Sequence, residues 1–83
     1  MAVISAKFVN TYGSSRKWTI WDTGIDPNDP KIVFDDYLDV NQETPALELH
    51  DIGAGHGQVQ YKRSDGNLIV GVEVSDGEIK SIS

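Results

Sequence analysis

Along most of the chain polar and apolar residues alternate with a period of two, which is the mark of half-buried β-strands. In residues 3–12, Ile4, Ala6, Phe8 and Tyr12 share one parity and Ser5, Lys7 and Thr11 the other, while Asn10 interrupts the apolar face near its end. The Gly-Ser-Ser-Arg stretch at 13–16 carries turn chemistry. Residues 17–21 then return as a strand with Trp18 and Ile20 on one face and Trp21 on the other. A hairpin over this turn has two registers, Phe8 opposite Ile20 or Phe8 opposite Trp21, and the pattern does not choose between them. In either, one tryptophan is less buried than the other.

Two prolines and a glycine break the pattern over 23–30 and predict a turn-rich loop. In residues 31–40, Ile32, Phe34, Leu38 and Val40 fall on one parity with Asp36 intruding, so a bulge at Asp35-Asp36 is expected to redirect the second half of the strand. Residues 44–53 are ambiguous. Thr44 as N-cap, Pro45 at the first helical position and Gly53 past the end would frame a short helix. Leu47 and Leu49 fit a strand equally well, and the β character of the remainder favours the strand.

Ser-Asp-Gly occurs at 64–66 and again at 75–77. Asp-Gly between alternating strands is a type I′ hairpin signal, because both central residues of that turn need positive φ. Two such turns predict that the chain ends in a three-stranded meander. The first would set Val59 opposite Val72 and Tyr61 opposite Val70; the second would set Val74 opposite Ile79, Glu73 opposite Lys80 and Gly71 opposite Ile82. Six to seven strands in 83 residues predict an all-β fold, a small antiparallel β-sandwich forming a single domain over 1–83, with a partly open β-barrel as the alternative.

Composition limits what such a fold can do. The chain has no cysteine and a net charge of −6, so it describes one small acidic domain whose core must be efficient or be helped by a metal or a partner chain. The N-terminal residues lack a basic segment followed by an apolar run, and no apolar run approaches membrane-spanning length. A cytoplasmic protein or a mature secreted one is expected, with no membrane partner. Residues 22–51 hold Asp22, Asp26, Asp29, Asp35, Asp36, Asp39, Glu43, Glu48 and Asp51 against Lys31 alone, which argues against nucleic acid as a partner. The only basic pairs are Arg16-Lys17 and Lys62-Arg63.

The stretch from Trp18 to Val40 sets two tryptophans beside six aspartates. Asp22, Asp26, Asn28 and Asp29 offer oxygen ligands of the kind calcium uses, although not at EF-hand spacing. The competing account is that Asp and Asn initiate turns through local side-chain to backbone hydrogen bonds. Trp21, of opposite parity to Trp18 and next to the acidic loop, is the candidate stacking residue, with Asp22, Asp26 and Tyr37 completing a candidate ligand-binding surface. Gly-Ala-Gly-His-Gly at 53–57 lacks the G-x-G-x-x-G spacing and reads as a turn, and His50 and His56 lack zinc spacing. No serine sits on a strand-to-helix elbow, and Asp35 and Asp36, as neighbours on a strand, point to opposite faces and cannot flank one scissile bond without the bulge, so no catalytic site is expected. The expected function is a non-enzymatic binding module, lectin-like, for a carbohydrate or protein ligand. The alternative is a protein-interaction or homo-oligomeric assembly module, such as a homodimer, stabilised by calcium.

Overall fold

The computed structural model describes residues 2–83. Seven strands form in chain order: β1 (Val3–Asn10), β2 (Arg16–Asp22), β3 (Lys31–Leu38), β4 (Leu47–His50), β5 (His56–Arg63), β6 (Leu68–Ser75) and β7 (Ile79–Ile82). No helix occurs among the described residues, and the ambiguous segment is strand β4, with Leu47 and Leu49 buried. The strands assort into a three-stranded sheet, β4-β1-β7, and a four-stranded sheet, β3-β2-β5-β6. Every pairing is antiparallel except β1 with β7, which is parallel.

The inner faces meet in one apolar cluster. Ile4, Ala6 and Phe8 of β1 and Leu47 and Leu49 of β4 oppose Trp18 and Ile20 of β2, Leu38 of β3, Val59 of β5 and Val74 of β6, with Ile82 of β7 alongside. The parity of β1 and β2 read from the sequence is therefore the parity found. Their partners are not. β1 and β2 form no hairpin, so neither expected register of Phe8 exists: the chain crosses from one sheet to the other over residues 11–15. A hairpin would have put the apolar faces of both strands on one side of one sheet, whereas the crossing lets them bury each other.

The terminal meander also fails. β5 and β6 do pair, with Val59 opposite Val72 as expected, but Tyr61 lies opposite Ile69 and not Val70, because β6 carries a bulge at Val70-Gly71 opposite Gln60. Gly71 sits at φ 70°, a conformation that favours glycine. β7 leaves β6 altogether and pairs with β1, so the expected contacts Val74–Ile79, Glu73–Lys80 and Gly71–Ile82 are not made. Neither Asp-Gly turn is type I′: Asp65, Gly66 and Asp76 do not have positive φ, and only Gly77 does, at 80°. The second turn is instead docked on β1, where Gly77 N–H donates to Ser5 O at 2.7 Å and Ser5 N–H donates to Asp76 Oδ1 at 2.9 Å. The I′ pattern appears where the chain passes from β4 to β5, at Ala54 (φ 55°) and Gly55 (φ 75°).

The bulge in β3 is displaced too. Ile20 lies opposite Phe34 but Trp21 lies opposite Ile32, so the extra residue is Val33, ahead of the expected Asp35-Asp36. Phe34 and Leu38 keep their inward parity, while Ile32 is moved to the outer face and Val40 lies beyond the strand, exposed.

Candidate functional site

The outer face of the four-stranded sheet is set by what alternation leaves over once the core is filled. On β2 it takes Lys17, Thr19 and Trp21; on β5 it takes Gln58, Gln60 and Lys62. Cross-strand register aligns these into rows, because directly opposite residues share a face. Trp21 stands between Ile32 of β3 and Gln60 of β5. Thr19 stands between Asp35 and Lys62, with Thr19 Oγ1 donating to Asp35 Oδ1 at 3.1 Å and Lys17 Nζ 3.7 Å from the same oxygen.

Beyond the Trp21 row the sheet opens into a cleft of about 250 Å³ lined by Thr23, Pro27, Gln58, Gln60, Val70 and Gly71. None of these side chains is charged. Its volume is below the roughly 300–1,000 Å³ of enclosed small-molecule pockets, so it suits one edge of a ligand lying on the surface. Together the half-buried indole, the exposed Ile32 and the two amides form a flat apolar strip rimmed by neutral hydrogen-bonding groups.

The four residues expected to bind ligand are dispersed. Trp21 belongs to this strip, and Asp26 sits in the exposed loop beside Pro27, which lines the cleft. Tyr37 shares the outer face but lies opposite Lys17, four positions along β2 from Trp21, or about 13 Å. Asp22 is buried: Oδ1 accepts from Gly24 N–H and Oδ2 from His50 N–H, each at 2.8 Å. This carboxylate ties the end of β2 in one sheet to the end of β4 in the other. Asp22→Ala leaves both N–H groups without that acceptor and should lower stability by about 3 kcal/mol. Urea unfolding checks this, and a loss below about 0.5 kcal/mol would mean that solvent replaces the carboxylate without cost.

The loop residues considered as calcium ligands are engaged locally. Asp26 Oδ1 accepts from Asn28 N–H at 3.0 Å, and Asp29 Oδ2 lies 2.9 Å from Lys31 Nζ. Among the described residues no three His, Cys, Asp or Glu side chains are grouped to hold a metal, so Asp22, Asp26 and Asp29 do not converge.

At the opposite end of the sheet, pairing of β2 with β5 brings together the two basic pairs that the sequence separates, with Trp18 opposite Arg63 and Thr19 opposite Lys62. Arg63 stacks 3.8 Å from the Tyr12 ring centroid, Arg16 lies 5.4 Å from it, and both guanidiniums bond Asp65. Hydrogen bonds from Arg63 and then Arg16 hold the Asp65 carboxyl below its ordinary range. The cations are thus turned to an aromatic face and a carboxylate, and they pin the crossover between β1 and β2 to the β5–β6 turn.

No family model matches the chain, and neither a curated protein nor a solved structure is significantly similar to it.

Gln58, Gln60, Thr23, Ile32 and Val70 were not singled out by sequence. For the two glutamines a signal existed, since assigning Val59 and Tyr61 to the core puts Gln58 and Gln60 on the other face. For Ile32 and Val70 none did, because bulges decide their orientation.

Proposed function

We propose that the chain is a small β-sandwich binding module, non-enzymatic and lectin-like in mode, whose outer four-stranded face takes a neutral, polyhydroxylated ligand against Trp21. The observation that carries this reading is the row Ile32-Trp21-Gln60 beside an uncharged cleft. An indole offers a flat apolar face of the kind on which the C–H side of a sugar ring stacks. Gln58, Gln60 and Thr23 supply amide and hydroxyl donors and acceptors at the rim, and both functions of an amide match hydroxyl groups. With no cation in the cleft, an anionic ligand has nothing to neutralise it there.

The test is a titration of labelled protein with neutral mono- and oligosaccharides, followed by amide shifts. Shifts are expected at Gln58, Gln60 and Val70. Trp21→Ala should abolish them while changing stability by less than about 1 kcal/mol, as for a residue outside the core. A much larger loss of stability would reassign Trp21 to a packing role. Absence of shifts across the whole panel would overturn the lectin-like reading.

A further inference from the structure

The chain carries two tryptophans, three tyrosines and two phenylalanines, and the fold uses all but two of them. Phe8 and Trp18 lie in the apolar cluster, and Tyr12, Phe34 and Tyr61 pack against it. Tyr61 also stacks on Trp18, and Tyr12 is covered by two guanidiniums. Trp21 and Tyr37 do none of this. Neither has an aromatic or cationic stacking partner among the described residues, and Tyr37, at 65%, is the most exposed large hydrophobic side chain there.

Both rings stand on the outer face of the same sheet. Trp21 is on β2 opposite Ile32, and Tyr37 is on the adjoining strand β3 opposite Lys17. They are separated by four residues along the strands, about 13 Å, and by one strand across, about 4.8 Å. Between them lies a polar row, Asp35, Thr19 and Lys62, with Lys17 beyond it. Its charges are largely engaged: Lys17 Nζ is 3.7 Å from Asp35 Oδ1, and Lys62 Nζ donates to the carbonyls of Arg63 and Ser64. On the far side of Trp21 the cleft at Gln60 and Val70 continues the line. Cleft, indole, polar row and phenol thus run diagonally across the face from β6 to β3.

We infer that Tyr37 is a second stacking subsite, and that the ligand of this face is a linear chain of neutral sugars reaching from the cleft past Trp21 to Tyr37. The inference rests on the proposed sugar-binding role of the Trp21 row and specifies its substrate class. A single sugar ring covers one aromatic side chain and cannot touch both. A chain of them presents apolar ring faces with hydroxyl groups between, which is the order of the track. Those hydroxyls can donate to Asp35 and accept from Thr19, Lys17 and Lys62. A polyanionic chain is disfavoured by the carboxylate inside the track and by the net charge of −6. Two subsites on one sheet make the second contact intramolecular, so affinity grows with chain length until both rings are covered.

The experiment is a titration of the full labelled chain with glucose, mannose and xylose and with their linear disaccharides and hexasaccharides. In the series that binds, the monosaccharide should shift the amides of Gln58 and Gln60 only. The hexasaccharide should bind about tenfold tighter and shift Asp35 and Tyr37 as well. Tyr37→Ala should weaken the hexasaccharide about fivefold, the worth of one aromatic contact, and leave the monosaccharide unchanged, while Tyr37→Phe should retain wild-type affinity. Affinity that does not grow with chain length, a Tyr37→Ala protein that holds the hexasaccharide as wild type does, or equal weakening of both ligands would each overturn the second subsite and leave the Trp21 site standing. Absence of shifts with every sugar would remove the Trp21 reading itself, and this inference with it.

Discussion

Trp18→Ala is expected to cost the fold about 3–5 kcal/mol, a large share of its stability. Trp18 is completely buried on β2, stacks at a tilt on Tyr61 with ring centroids 5.9 Å apart, and belongs to the single apolar cluster between the sheets. Truncating a buried aromatic typically costs about 3–5 kcal/mol, because it removes transferred area and leaves a cavity that neighbouring strands cannot collapse into. A small domain has at most a modest multiple of that to lose, given stabilities of about 5–15 kcal/mol and the smaller buried fraction of short chains. Trp18→Phe keeps the aromatic bulk and discards an indole N–H that has no acceptor among the described residues, so it should cost clearly less. Circular dichroism through a urea titration distinguishes the two. A Trp18→Ala protein that unfolds within about 1 kcal/mol of wild type would show that the sheets close over the gap.

Asn10→Ala should be strongly damaging as well, at about 3 kcal/mol. Asn10 lies on the inward face of β1 among apolar residues and is 0% exposed. Its amide nitrogen donates to Ser14 O and Leu38 O at 3.0 Å and to Asp39 O at 3.3 Å, and its Oδ1 accepts from Tyr12 N–H at 2.9 Å. One side chain thereby satisfies the backbone of the crossover and fastens β1 to the end of β3 in the other sheet. Alanine would leave the buried Leu38 carbonyl without this donor and remove the part-buried bonds to Ser14 and Asp39, and the cost is that of unmade hydrogen bonds. Asn10→Asp, nearly the same shape, should do no better, since a carboxylate would face three carbonyl oxygens. Equilibrium unfolding of both variants is the check; an Asn10→Asp protein as stable as wild type would mean that the amide donors are dispensable.

Asn10 and Asp22 form a pair in a physical sense. Leu38 is opposite Arg16, so Asn10 clamps the sheets where β2 begins, and Asp22 clamps them where β2 ends. The apolar cluster between them has one fixed polar tie at either end. Both residues look out of place in the sequence, one interrupting an apolar face and the other heading an acidic loop. Its place beside Trp21 and the acidic loop makes Asp22 look like part of a binding surface. An inter-sheet tie cannot be recognised from one strand, because its partners, Leu38 and His50, are 28 residues away in each case.

The candidate site shows the same division. Trp21 was legible as the less buried tryptophan because alternation alone sets it opposite Trp18 and Ile20. Its companions were not, because Ile32 reaches the outer face only through the extra residue Val33, and Val70 reaches the cleft only through the bulge at Gly71. Tyr37 and Asp22 are near Trp21 along the chain, but the fold carries one away along the strand and the other into the interior.

The sequence by itself determined that the chain is all-β, where its strands run apart from β4, whose segment fits a short helix equally well, and which face of β1, β2 and β5 is buried. These follow from a two-residue period and from the turn residues between strands, both of them local. Apart from the β5–β6 hairpin, which strands pair was decided only by tertiary structure. A β-strand carries its hydrogen-bonding groups on both edges and accepts a partner from anywhere in the chain, so β1 takes β4 and β7 in place of its neighbour β2. Covering Trp18 and Phe8 with each other required the chain to cross between sheets, and that requirement outweighed the hairpin signals in the turns.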